Sequence, residues 1–283
     1  MRCAWQSFIE LLPPWMRYES DIHGKDRAQE LRIRLNQPPE LVLENSSRFL
    51  QRDATGEDIS FVLNAASRYS PWTSATAAKG YLSAQGGHRI GICGQAIVKG
   101  GCLEGIRNPT SLCIRIARDY PGIAQSVPMQ GSVLIVGSPG SGKTTFLRDL
   151  IRSRARLGKG SIAVVDERGE LFPYAGGLSC FSTGNGTDVL TGVSKAEGID
   201  ILLRTMGPVC IAVDEITKQE DAEALIRAAW CGVDLYATAH AGSKRDLLNR
   251  PVYRKIAESC IFDRLIVMDH DKSWRMERMN NKC

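Results

Sequence analysis

The apolar positions in the first part of the chain keep changing period. Trp5, Phe8, Ile9 and Leu12 recur at helical spacing and stop at Pro13–Pro14. Leu31, Ile33 and Leu35 alternate with Arg32 and Arg34, which is the period of a half-buried strand. Phe61, Val62, Ala65 and Ala66 predict a helix opened by the acidic pair Glu57–Asp58. Strands rich in glycine are then expected over 88–98 and 112–117, the first followed by a Lys99-Gly100-Gly101 turn. Pro121-Gly122 and the polar stretch to Gln130 read as a joint between domains.

Beyond the joint the pattern becomes short, nearly continuous apolar runs separated by amphipathic segments. Strands are predicted over 133–136, 162–165, 209–213, 235–239 and 261–268, with helices over 143–156, 195–206 and 221–231. Runs that are apolar at every position belong to strands buried on both faces, as in a parallel sheet covered by helices. The expected fold is therefore α/β: a mostly parallel sheet with helices on both faces. A smaller N-terminal α+β domain over 1–125 precedes the core over 126–283.

Composition narrows the class without deciding the chemistry. The 283 residues carry 43% hydrophobic and 24% charged side chains, ordinary globular values that exclude disorder as the dominant state. Basic residues exceed acidic ones by 15 to 12 in 1–125 and by 21 to 19 in 126–283, so no basic arm announces a nucleic-acid partner. No run approaches the roughly 18 apolar residues of a membrane span, and the start lacks the apolar core of a signal peptide. Nine cysteines without a CxxC pair fit neither a disulfide framework nor a zinc site, and are expected to be buried, reduced thiols.

The strongest chemical signal is Gly137, Ser138, Pro139, Gly140, Ser141, Gly142, Lys143 and Thr144, a complete G-x(4)-G-K-[ST] between a predicted strand and a predicted helix. Glycines let successive backbone N–H groups turn inward onto phosphate oxygens, and the helix N-terminus adds partial positive charge. Lys143 is expected to reach the β- and γ-phosphates, Thr144 to ligate Mg²⁺, and Thr145 to line the cradle. The α/β half is thus expected to be a P-loop NTPase core, and the implied cofactors are ATP and Mg²⁺.

Acids at strand ends supply candidates for the rest of the site. Asp214, after the run ending at Val213, is the expected metal-side carboxylate, and Glu215 a candidate to polarise water. Glu167 and Glu170, in Asp166-Glu-Arg-Gly-Glu170, compete for that role, and Arg168 is a candidate phosphate or neighbouring-subunit contact. Arg204 fits either an arginine finger or a residue favouring a helix C-terminus. His240, closing Ala237-Thr-Ala, is a candidate γ-phosphate sensor; His23, His88 and His270 stand outside any motif.

The order phosphate loop, acidic box, Leu203-Arg204, Asp214-Glu215 and His240 resembles that of the secretion ATPases of type II, type IV and pilus machines. Across the whole chain, IRLNQPPELVL, GHRIGICGQA, GSPGSGKTT, VVDERGEL, MGPVCIAVDEI and YATAHAG resemble the stage III sporulation protein AA family of endospore-forming bacteria. That resemblance implies an ATPase forming a hexameric ring in the mother-cell cytoplasm. It would be peripheral at the membrane, through membrane-embedded channel proteins of the same sporulation operon. One departure is visible: DERGE stands where the secretion motors carry an Asp-Pro box, which leaves the general base open among Glu167, Glu170 and Glu215.

Motion about the 119–130 joint is the expected output of hydrolysis. The rival readings are a P-loop kinase acting on a small acceptor, for which no Arg-rich lid is evident, and a nucleic-acid-stimulated ATPase. The second would use the cluster Arg148, Arg152, Arg154, Arg156 and Lys159, otherwise a solvated helix face.

Overall fold

The computed structural model describes residues 2–3, 5–25, 27–44, 46–67, 80–175 and 178–279. By contacts the chain forms two units, Met1–Asp119 with Pro173–Phe181, and Tyr120–Phe172 with Ser182–Cys283. The division after Asp119 precedes the expected 125/126 boundary, and a short segment of the second half groups with the first unit.

In the first unit β1 (Arg2–Cys3) precedes α1 (Trp5–Leu11) and α2 (Pro14–Gly24). Pro13–Pro14 thus ends one helix and starts another, because Pro14 occupies the first turn, where its missing N–H is not needed. There follow β2 (Ala28–Arg34), β3 (Glu40–Leu43), β4 (Ser47–Phe49) and α3 (Gly56–Ser67), then β5 (Tyr81–Ala84), β6 (His88–Lys99), β7 (Cys102–Arg115) and β8 (Arg118–Asp119). The six-stranded antiparallel sheet runs β4-β3-β2-β7-β6-β5, and β8 pairs with β1. Trp5, Phe8, Leu31, Ile33, Val62, Ile90 and Ile114 meet in one core. β7 begins ten residues before the predicted Leu112, since the outer half of its hairpin with β6 is exposed and has no apolar alternation to announce it.

The second unit holds β9 (Val133–Gly137), α4 (Lys143–Ala155) and β10 (Ile162–Asp166); the short hairpin β11 (Tyr174–Ala175) and β12 (Leu178–Ser179) lies next in the chain, within the segment grouped with the first unit. It continues with β13 (Thr187–Thr191), α5 (Lys195–Thr205), β14 (Cys210–Val213), α6 (Gln219–Trp230) and β15 (Asp234–Ala239). α7 (Lys244–Asn249), α8 (Pro251–Glu258), β16 (Arg264–Met268) and β17 (Trp274–Arg278) complete it. The seven-stranded sheet has the order β13-β10-β14-β15-β9-β16-β17, parallel except for β17. Leu134, Val136, Val165, Ile211, Val213 and Leu235 pack with α5, α6, α7 and α8, while the alternate residues Ile135, Val164, Ala212 and Tyr236 are also buried. Double burial is why these strands read as continuous apolar runs. Parallel register has a functional consequence: the carboxyl ends of β9, β10, β14, β15 and β16 share one edge.

The residues expected to form a pliant joint are tied down within the second unit. Asp149, fully buried on α4, accepts from the N–H groups of Gly122 and Ala124 at 2.9 Å each and from Arg152 at 3.3 Å. Tyr236 donates its hydroxyl to the Met129 carbonyl at 2.8 Å. Asp149→Ala removes the shared acceptor of two amides and a guanidinium, and is expected to lower the stability of the chain by about 3 kcal/mol, read from the denaturant midpoint.

Of the cysteines whose side chains are described, Cys210 alone is fully buried, and Cys93, Cys102 and Cys231 are exposed, correcting the expectation of buried thiols.

Candidate active site

Strand β9 delivers the phosphate loop. Gly137 closes the strand where no side chain fits: a Cβ there would lie 2.5 Å from Ser141 Oγ and 2.7 Å from the Met268 carbonyl oxygen. Gly140 and Gly142 take φ of +76° and +97°, left-handed conformations that curl the backbone and that glycine adopts without strain. Lys143 and Thr144 open α4, and Thr145 stands half-buried beside them.

The loop is built for an anion. Lys143 Nζ donates to the carbonyls of Gly137 and Ser138 at 2.9 and 2.8 Å. Burial depresses its pKa, partly opposed by the charges of Asp214 and Glu215. The buried Ser141 hydroxyl has no hydrogen-bond partner among the described residues. A desolvated ammonium satisfied only by neutral carbonyls, beside an orphaned hydroxyl, fits a site that accepts a polyphosphate.

Across the sheet, β14 places Asp214 opposite the loop. Its carboxylate accepts from Thr144 Oγ1 at 2.8 Å and from Thr238 Oγ1 at 2.5 Å. The Thr238 oxygen in turn accepts from the Glu215 N–H at 2.7 Å, so one buried hydroxyl on β15 fixes both acids. Glu215 sits at φ +54°, a conformation that costs a non-glycine residue energy and recurs at functional sites. Its carboxylate lies 3.0 Å from His240 Nε2 and 2.9 Å from Arg168 Nη1.

The remaining acids of the 166–170 box have other employment. Asp166 is buried and accepts from the backbone N–H groups of Glu170 and Phe172 at 2.9 Å each, bracing the turn after β10. Burial pushes its pKa up, and these amides oppose the rise. Glu167 is held by Lys195 at 2.5 Å; burial would raise its pKa, but the Lys195 hydrogen bond and charge outweigh it, and the net shift is downward. Glu170 enters the turn through its backbone, its carbonyl accepting from Arg148 at 2.9 Å.

Arg204 does not join this group. It lies near the end of α5, which leads into the amino end of β14, so it stands at the sheet edge opposite the phosphate loop. There its Nε donates to the Asp200 carbonyl at 3.0 Å. Of the basic cluster, Arg156 and Lys159 beyond the end of α4 are exposed, but the three arginines on the helix are not a solvated face. Arg148, Arg152 and Arg154 are buried, bonded to Glu170, to Asp149 and Ser182, and to Asp234 and Met129.

The sequence matches the model of a family described as sporulation stage III, protein AA, over residues 16–278. The chain belongs to that family. It is 38% identical over 255 residues to stage III sporulation protein AA of Bacillus subtilis (strain 168), covering 86% of this chain and 83% of that protein. Among solved structures, the ATPase DotB of Legionella pneumophila has a TM-score of 0.60 at 16% identity, covering 94% of this chain and 79% of that one. The pilus retraction motor PilT, solved with bound ADP, has a TM-score of 0.61 at 17% identity, covering 89% and 76%. At such identities the likeness establishes the fold alone: this member of the stage III sporulation protein AA family shares the architecture of those two proteins. No helix among the described residues is long and apolar enough to cross a membrane.

Three participants in this family member's site carry no signature in the sequence. Thr238 ties Asp214 to Glu215, Lys195 claims Glu167, and His270 Nε2 lies 3.1 Å from Ser138 Oγ of the phosphate loop. His270, which no motif singles out, reaches the loop because β16 runs parallel to β9 with Met268 beside Gly137.

Proposed function

We propose that this chain is an ATP-binding and ATP-hydrolysing motor serving a secretion-like channel assembly in endospore formation. The observation that carries the reading is the Gly137–Thr144 cradle with Thr144 already paired to Asp214 across its mouth. In this reading the backbone N–H groups of Ser138 and Gly140–Thr145 and the Lys143 ammonium bind the β- and γ-phosphates. Thr144 and Asp214 would hold Mg²⁺, which supplies charge neutralisation on the phosphates when bound. Glu215 orients the attacking water and takes its proton as the new P–O bond forms and the β–γ bridge breaks. His240 positions Glu215, and Arg168, on the same edge, replaces Arg204 as the arginine able to meet developing negative charge.

Family membership supports the sporulation role, and the secretion-ATPase fold supports a motor. By the same likeness we assign a hexameric ring in the mother-cell cytoplasm, peripheral at the membrane through channel proteins of its operon. Burial of Arg148, Arg152 and Arg154 leaves the nucleic-acid reading only Arg156 and Lys159 of its basic face.

The test is phosphate release from Mg·ATP by the purified chain with no acceptor present, alongside its mass in solution with and without ATP. Release in the absence of acceptor is the expected result. Transfer only when a small acceptor is supplied would make it a kinase.

A further inference from the structure

We infer that the turn joining β16 to β17 is a clasp on the phosphate loop, in which Lys272 and His270 are positioning residues for nucleotide binding. The inference rests on the nucleotide reading above and adds residues from outside its motifs.

Register brings the turn there: β16 ends beside Gly137, so Asp269–Ser273 emerges over the loop. The turn is internally braced, with the Asp269 N–H donating to Ser273 at 3.0 Å, Ser273 donating to Asp271, and Arg275 holding Asp269 at 3.2 Å. From this frame Lys272 Nζ donates to the Gly140 carbonyl, and His270 Nε2 hydrogen-bonds Ser138 Oγ. The two contacts grip the loop on either side of Pro139.

Gly140 stands at φ +76° with open space where a Cβ would be, and the peptide after it is held at both ends, its carbonyl by Lys272 and its N–H by the Ser138 carbonyl. A peptide's carbonyl and N–H point in opposite directions. A cation that draws the Gly140 carbonyl outward therefore turns the Ser141 N–H inward, where it meets the Ser138 carbonyl at 3.2 Å. The clasp keeps an inward amide in place before the phosphate arrives, which spares binding the cost of ordering it. Lys272 itself sits at φ +71°, a conformation a lysine adopts at a cost and glycine adopts freely.

That strain provides a test which separates positioning from structure. Lys272→Gly relieves the backbone and is expected to leave the thermal midpoint without nucleotide unchanged or raised. Both Lys272→Gly and Lys272→Met are expected to weaken Mg·ADP binding, measured by calorimetry on the full chain, by roughly tenfold. Lys272→Arg, which keeps a cationic donor, is expected to recover most of the loss, and His270→Ala to lose less than Lys272→Met. If the parent chain binds ADP and both Lys272→Gly and Lys272→Met match it within about twofold, the clasp is overturned and the nucleotide reading stands. If the parent binds neither ADP nor ATP, the nucleotide reading fails and the clasp fails with it.

Discussion

Lys143→Ala is expected to reduce ATP hydrolysis by about 10²–10³-fold and to weaken ATP binding with it, because the variant removes the one ammonium inside the cradle. In the nucleotide-free chain that ammonium is desolvated and satisfied by the carbonyls of Gly137 and Ser138. A polyphosphate would replace these neutral partners with full negative charge, so the lysine contributes more to the bound state than to the free one. The pH dependence follows from the same burial. The folded-state pKa of Lys143 lies below its ordinary value of 10.5. Between the two values the unfolded chain holds the proton more often, so stability of the nucleotide-free protein rises with pH across that window. Lys143→Ala should flatten this rise and leave stability at neutral pH unchanged or slightly improved, read from urea midpoints at stepped pH. Parental rates of phosphate release from Lys143→Ala would remove the cradle from the reaction.

What the linear sequence made legible depended on burial on both faces. β9, β10, β14 and β15 are covered above and below, so their apolar runs stood out, and in each case the residue at the run's end marked the site edge. Edge elements did not declare themselves. β13 is half-buried and polar, β17 is an exposed antiparallel strand reading Trp-Arg-Met-Glu-Arg, and the outer half of the β6–β7 hairpin is exposed on both faces. Within the site, spacing identified the groups joined by short stretches of chain: the loop with its lysine and threonine, and Asp214 with Glu215. It had no access to groups joined by sheet register, which is how Thr238, His270 and Lys272 arrive. Arg204 fits either an arginine finger or a residue favouring a helix C-terminus on sequence alone, and its place in the last turn of α5 agrees with the second: a helix that feeds a parallel strand ends at the strand's amino edge, a full strand length from the carboxylate.

Glu215→Gln is expected to lower turnover by about 10²–10⁴-fold while leaving ATP bound, the result for a residue that acts on the attacking water rather than on the phosphates. Glu167→Gln and Glu170→Gln should stay within several-fold of the parent. The contacts separate Glu167 from Glu215. Glu167 is committed to Lys195 at 2.5 Å, and the net depression of its pKa makes accepting a proton costly. Glu170 is tied into the turn after β10 through its backbone. Glu215 follows Asp214 directly, and its N–H is anchored by the Thr238 hydroxyl that also holds Asp214. Its carboxylate is then aimed by His240 and Arg168, so a strained backbone and three neighbouring residues combine to place one carboxylate beside the cradle. His240→Ala should produce a smaller loss than Glu215→Gln, since it frees the carboxylate without removing it. Single-turnover hydrolysis and calorimetric ATP affinity, taken on the same preparations, separate the chemical step from binding. A collapse of turnover in Glu167→Gln with Glu215→Gln unaffected would transfer the role to the acid held by Lys195, and would require that ion pair to open before each turnover.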